Sequence, residues 1–198
     1  MQKSNPTKTI AVTAMFAALT LLATSVLKIP TPTMGYIHIG DAFVLLSGIC
    51  LGPIYGGLAA GIGSALADLL GGYVAWVPGT FLIKFFVAFV AGILFRAFTK
   101  KSLTEAGSTN FRTQTIAVIL AGVIGELLMV GGYFLYEILL TAFGAGEITQ
   151  AGLAAAALES ATGIPFNIVQ GVAGIILSTA LLPVFRRIFQ RNPELAKG

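Results

Sequence analysis

Apolar residues along this chain fall into six long runs, near Thr9 to Leu27, Ile39 to Tyr55, Gly57 to Leu70, Pro78 to Phe98, Thr113 to Phe143 and Gly163 to Phe189. A helix crossing a bilayer core takes about 17 to 25 such residues. The third run is short, which predicts a helix with little tilt or one that starts inside a tight turn. The pattern predicts an all-α integral membrane bundle of six transmembrane helices. Composition points the same way. Of 198 residues, 56% are hydrophobic and 10% charged, and the mean hydropathy is +0.90, which leaves a water-soluble domain too little polar surface to cover its core. No stretch between the runs is polar and long enough for a second domain, so residues 1–198 read as one transmembrane domain.

The net charge of +4 is explained by where the basic residues stand. Lys3 and Lys8 precede the first run, Arg96, Lys100, Lys101 and Arg112 lie between the fourth and fifth, and Arg186, Arg187, Arg191 and Lys197 follow the sixth. Basic residues collect in cytoplasmic loops because they resist translocation, so both termini are expected in the cytoplasm. The opposite connections carry Lys28, Glu147 and Glu159. With the charge accounted for in this way, no nucleic-acid partner is expected. The first run is too long for a cleaved leader and is followed by Pro30-Thr31-Pro32-Thr33, so it is expected to be retained. Cys50 is the single cysteine, which excludes an internal disulfide or a cysteine metal cluster; it reads as a small buried apolar residue.

Local signals refine the breaks. Two prolines within Ile29 to Tyr36 predict an extended strap over the bundle. The segment Ala154 to Glu159 favours a short helix, expected on the outer face as a lid. Gly48, Gly52 and Gly56, then Gly57, Gly61 and Ala65, recur at four-residue spacing with Pro53 marking a turn, the pattern of close helix contact in lipid. Ala14 and Ala18 give the first run a smooth face, either for internal packing or for docking.

Ionisable groups inside hydrocarbon cost several kcal/mol unless they face a cavity or a partner. Here Asp41 opens the second run, Asp68 ends the third, Lys84 lies in the fourth, Glu126, Tyr133 and Glu137 in the fifth, and Asn167 and Gln170 in the sixth. At about 100° per residue, Glu126, Tyr133 and Glu137 fall within about 40° on one helix face. At about 1.5 Å per residue, Lys84 lies roughly 9 Å below the outer boundary, Tyr133 and Glu137 roughly 9 to 15 Å, and Asn167 roughly 6 to 10 Å. These four are expected to meet in one layer open to the outside. Lys84 and Glu137 are either an ion pair that fixes the bundle or, since buried pairs often add little net stability, part of a substrate or ion path. Glu126, about 25 Å down, falls outside that layer. Tyr73 and Trp76 stand at the outer boundary as an aromatic belt or a pocket mouth.

Several chemistries are excluded. There is no G-x-x-x-x-G-K-[ST] loop, nor any Gly-Lys pair, so the chain does not bind ATP by that device. His38 is the single histidine, which rules out the common metal patterns, and no cofactor is expected. No cysteine or histidine lies in a central span as nucleophile or base, so an intramembrane enzyme is not expected. A self-sufficient secondary transporter or channel remains the alternative class, although no internal duplication is evident.

The motifs Tyr36-Ile37-His38-Ile39-Gly40-Asp41-Ala42-Phe43, Gly52-Pro53-Ile54-Tyr55-Gly56-Gly57, Gly61 to Asp68 and Pro78 to Lys84 resemble the substrate-binding S components of energy-coupling factor (ECF) vitamin transporters, in the riboflavin, hydroxymethylpyrimidine and vitamin B6 branch. The likeness is detailed over the first four runs and continues as hydropathy through the last two. It implies a six-helix plasma-membrane protein with cytoplasmic termini, a first loop covering the ligand, and an alanine motif, matched by Ala14 and Ala18, that docks on a membrane scaffold. The scaffold (T component) and two cytoplasmic ATPases would supply energy, and the S component would topple to present its pocket inward. The expected ligand site comprises Tyr36, His38, Asp41, Asp68, Trp76, Lys84, Tyr133, Glu137, Asn167 and Gln170. Those side chains suit pyridoxamine, pyridoxine or hydroxymethylpyrimidine, with riboflavin and pantothenate as alternatives.

Overall fold

The computed structural model describes residues 6–33, 35–106, 110–146 and 148–191. Of the charges used above, Lys3, Glu147, Lys197 and the side chain of Lys101 lie outside the described residues. The elements are α1 (Pro6–Val26), β1 (Ile29–Pro30), β2 (Tyr36–Ile37), α2 (Asp41–Leu51), α3 (Pro53–Leu70), a 3-10 turn (Val74–Trp76), α4 (Val77–Ala106), α5 (Phe111–Ala145), α6 (Gln150–Ala161) and α7 (Ile164–Arg191).

α1 stops before Ile29-Pro30, where the proline ring pushes the preceding residue out of helical geometry. The expected strap is a small hairpin. β1 and β2 pair antiparallel with Ile29 opposite Ile37, and the Thr31 N–H donates to the Gly35 carbonyl at 2.9 Å. Its backbone groups bond within the hairpin and to the bundle, which permits irregular chain at membrane depth.

The second run does not continue to Tyr55. α2 has 11 residues, a length of about 16 Å, and ends at Gly52, whose φ of +86° reverses the chain. Pro53 then opens α3, because its missing N–H is not needed at a helix start. The shortened membrane helix is therefore α2, whereas α3 keeps 18 residues. Five helices are long and apolar enough to cross a membrane, and α2 is the shorter sixth, so six passes return both termini to one side. Large apolar side chains, among them Ile10, Leu22, Leu82, Phe86, Leu127 and Ile176, are exposed around the outside as a lipid-facing coat.

Small residues bring α2, α3 and α4 together. A Cβ at Gly57 or Gly61 would meet Phe85 or Phe81 at about 3 Å, and one at Gly48 would run into the Ala88 backbone. Two apolar cores fill the bundle. One joins Val44, Leu45, Ile83, Val87 and Met129; the other joins Val12, Phe16, Leu46, Val118 and Phe185. The expected outer helix is α6, capped by Thr149, whose side chain accepts from the Gly152 N–H at 3.1 Å.

Candidate substrate site

Above these cores, the hairpin and the outer ends of α3, α4, α5 and α7 enclose a cavity of about 30 Å³. Eight of the ten expected site residues line it: Tyr36, His38, Asp68, Trp76, Tyr133, Glu137, Asn167 and Gln170. Thr31, Gly35, Tyr73 and Thr80 line it as well. Tyr73 and Trp76 thus face the cavity and do not serve only as a boundary belt. That volume suits about one water and is too small for a ring compound unless the wall rearranges.

Asp41 and Lys84 do not reach the cavity wall. Lys84 Nζ donates to Asp41 Oδ1 at 2.5 Å, and both side chains are fully buried beneath the floor. The expected Lys84 to Glu137 pair does not form. Counting along α4 placed Lys84 at a reasonable depth, but α2 is so short that its first residue, Asp41, lies at that depth too. Lys84 also stands 5.1 Å from the centre of the Tyr133 ring, a cation–π contact that ties the pair to the wall above. Glu126, expected away from the polar layer, faces Asp41 from α5. Helices of unequal height explain the difference, because equal counts from two ends are not equal depths.

The hairpin is held by three hydrogen bonds to three helices. Tyr36 donates its hydroxyl to Asp68 Oδ1 at 2.6 Å, Thr33 donates to Glu137 Oε1 at 3.2 Å, and the His38 N–H donates to Gln170 Oε1 at 3.0 Å. Lys28, at the rim, sits 4.4 Å from the Tyr36 ring centre and donates to the Ala67 carbonyl at 3.2 Å. Burial, then the Asp68 carboxylate, raises the Tyr36 pKa, so the phenol stays a donor. Burial also pushes His38 down to about 3; Lys84 and Lys28 add to this, and the Asp41 carboxylate opposes it. Its neutral ring accepts the Gly40 N–H on Nδ1 at 3.0 Å, which places the ring proton on Nε2.

Two features of the wall are left for something else to bind. Glu137 Oε2 is buried and accepts no hydrogen bond, and the Asn167 side chain donates none among the described residues. Trp76 lies tilted against Tyr133 and Tyr136, with ring centres 6.0 and 6.1 Å away. Carboxylate, amide and aromatic groups converging on one hollow are the parts of a recognition site. Among the described residues, the lining contains no lysine or arginine.

A family model described as ECF-type riboflavin transporter, S component, matches residues 4–187. The chain belongs to this family. The S component is 33% identical over 161 residues to the uncharacterized protein in the gap 3′ region of Pyrococcus woesei, covering 81% of this chain and 89% of that one. Among solved structures it is similar to the S component of a bacterial ECF transporter, with a TM-score of 0.54, 19% identity, and 94% and 98% of the two chains covered. It is also similar to an S component for biotin, with a TM-score of 0.55, 20% identity, and 92% and 95% covered. At these identities the solved structures establish the fold. The S component is accordingly a multi-pass membrane protein and a substrate-binding subunit of a transporter, not an enzyme.

Outside the bundle, Ala14 and Ala18 are exposed on α1. They do not pack internally. With Thr13, Ala17, Tyr55, Leu58 and Ile62 they line an apolar groove of about 500 Å³ between α1 and α3. This groove is separate from the ligand cavity.

Proposed function

We propose that the S component captures, from the outside, a small heteroaromatic vitamin or precursor rich in hydrogen-bond donors, of the pyridoxamine, pyridoxine or hydroxymethylpyrimidine class. The observation that carries this reading is the cavity wall, where Asp68 and Glu137 face one hollow with Tyr36, Tyr73, Trp76 and Tyr133 and no cationic side chain. A ligand with ring N–H, amine or hydroxyl groups satisfies such acceptors while its face lies on the rings. A carboxylate ligand such as pantothenate meets two acidic side chains in the wall, with Lys28 only at the rim. Riboflavin is the second reading, favoured by the description of the matched family.

In this reading Tyr36, His38, Asp68, Trp76, Tyr133, Glu137, Asn167 and Gln170 contact the ligand or close over it, and Asp41 with Lys84 forms the floor. Uptake is energised by a membrane scaffold and two cytoplasmic ATPases, and the Ala14/Ala18 groove is the docking face. Trp76 is the single tryptophan and lines the cavity, so its fluorescence reports occupancy directly. Titration with pyridoxamine, pyridoxine, hydroxymethylpyrimidine, riboflavin and pantothenate is expected to give saturable quenching with one of the first three. Glu137→Gln or Asp68→Asn is expected to weaken that binding at least tenfold, about 1.4 kcal/mol, without loss of fold. Quenching by riboflavin alone transfers the assignment to the second reading. Uptake by the chain reconstituted without partners contradicts the transporter-subunit mechanism and supports a secondary transporter.

A further inference from the structure

We propose that Glu126 is a neutral carboxylic acid that donates its proton to Asp41, and that this hydrogen bond positions Asp41 and Gln170 so that the hairpin stays anchored to the bundle. Glu126 lies on α5, is 4% exposed, and receives no hydrogen bond on either oxygen. The carboxyl group it faces belongs to Asp41, since a single Cβ at Gly174 would touch both Asp41 Cβ, at 2.8 Å, and Glu126 Oε1, at 3.4 Å. Both oxygens of Asp41 are already served, Oδ1 by Lys84 and Oδ2 by Gln170 Nε2 at 2.8 Å. Two ionised carboxylates carry no donor between them, so they repel; a single proton turns the same contact into a hydrogen bond. The donors on Asp41 favour its ionised form, which leaves the proton on Glu126.

Among the described residues, the cation that faces Glu126 is Lys84, which is already paired with Asp41. Lys84 from α4 is engaged with Asp41, Tyr133 and Met129 come from α5, and α7 contributes Gln170, Gly171 and Gly174. On the lipid side, the groove of about 140 Å³ between α5 and α7 is lined by Val123, Leu127, Val130, Ile168, Val172 and Ile175, none of which donates. The two glycines of α7 fit the carboxyl pair. A Cβ at Gly171 would stand 2.9 Å from Glu126 Cβ, and one at Gly174 would stand 2.8 Å from Asp41 Cβ and 3.4 Å from Glu126 Oε1. No group of three or more ligating acids, histidines or cysteines occurs among the described residues.

From Glu126 the chain of contacts runs upward. Asp41 holds the Gln170 amide, and Gln170 Oε1 accepts the His38 N–H, which ends the hairpin. Glu126 therefore acts on the cavity through Asp41 and touches no ligand. The test needs no ligand and uses the full chain in lipid nanodiscs. Infrared spectra of wild type minus Glu126→Gln are expected to show the carbonyl stretch of a protonated carboxylic acid, which the variant lacks. Because glutamine still donates to Asp41, Glu126→Gln is expected to keep wild-type hydrogen exchange in peptides spanning residues 29–40, whereas Glu126→Ala exchanges there at least tenfold faster. Absence of the protonated band overturns the proposal. So does Glu126→Gln exchange as fast as Glu126→Ala, or a sodium-dependent rise in melting temperature that wild type shows and Glu126→Gln does not, since each means that an ionised carboxylate is what the site requires.

Discussion

Replacing Lys84 with methionine removes one charge of a pair whose side chains are both 0% exposed and whose atoms meet at 2.5 Å. Methionine fills nearly the same volume, so the change is largely electrostatic. At an effective dielectric of about 20, the lost attraction is roughly 6 to 7 kcal/mol. Much of this is offset in the wild type by the cost of desolvating two ions, and breaking such a pair from one side typically costs about 3 to 5 kcal/mol. For a chain of this size, that corresponds to a drop in melting temperature of about 6 to 20 °C. The assay is thermal unfolding in one fixed detergent, followed by circular dichroism and by Trp76 fluorescence. The double variant Lys84→Met/Asp41→Asn removes the orphaned carboxylate and is expected to regain at least half of the loss. If Lys84→Met melts within about 2 °C of wild type, or if the double variant melts no higher than the single, the pair is not the staple inferred here. Loss of ligand affinity with no change in melting would instead return Lys84 to the cavity wall.

Two further outcomes follow from the site and from the outer wall of α1. The lowered pKa of His38 means that the unfolded chain binds a proton below about pH 6.5 that the folded chain refuses down to about 3. Stability from this residue is therefore full above about pH 6.5 and falls as pH drops, by about 2 kcal/mol at pH 5, and His38→Asn is expected to flatten the melting profile over that window. Ala14→Trp or Ala18→Trp fills the groove between α1 and α3, and is expected to abolish uptake in cells that contain the coupling proteins while purified protein keeps its ligand affinity. Loss of binding together with uptake, or uptake at a normal rate, contradicts that assignment.

Much of this arrangement was legible in the residues, and the failures have a common cause. Run length located all six membrane helices, because a bilayer constrains apolar run length strongly, and alanine propensity located the short helix α6. Proline spacing gave the hairpin its position, and an ionisable residue inside a span pointed to the polar layer at Asp68, Tyr133, Glu137, Asn167 and Gln170. Pairing was not legible. Several carboxyl groups lie within reach of the Lys84 layer, and choosing Asp41 over Glu137 requires knowing where α2 begins in depth, which depends on the chain reversal at Gly52. Thr31 and Thr80 carry no signal of their own, since a threonine in a loop or a first turn is ordinary until a neighbouring wall is known.

The short α2 connects these observations. At about 16 Å it covers only about half of the hydrocarbon thickness, and the remaining depth beside it is taken by the hairpin and the cavity. A full-length second helix would fill that volume and leave nowhere for a ligand. Shortening it has a cost, because the first turn of α2 brings the Asp41 carboxylate into the bundle interior, while its Ala42, Phe43 and Val44 N–H groups are satisfied by the Ile39 and Gly40 carbonyls. Lys84, Gln170 and Glu126 converge on that one place, from α4, α7 and α5. The polar floor is thus the structural consequence of making a pocket by truncating a helix. The same reasoning separates the roles of the charged residues: groups below the floor hold the truncated helix in place, and groups above it, Asp68 and Glu137, are the ones we propose for ligand recognition.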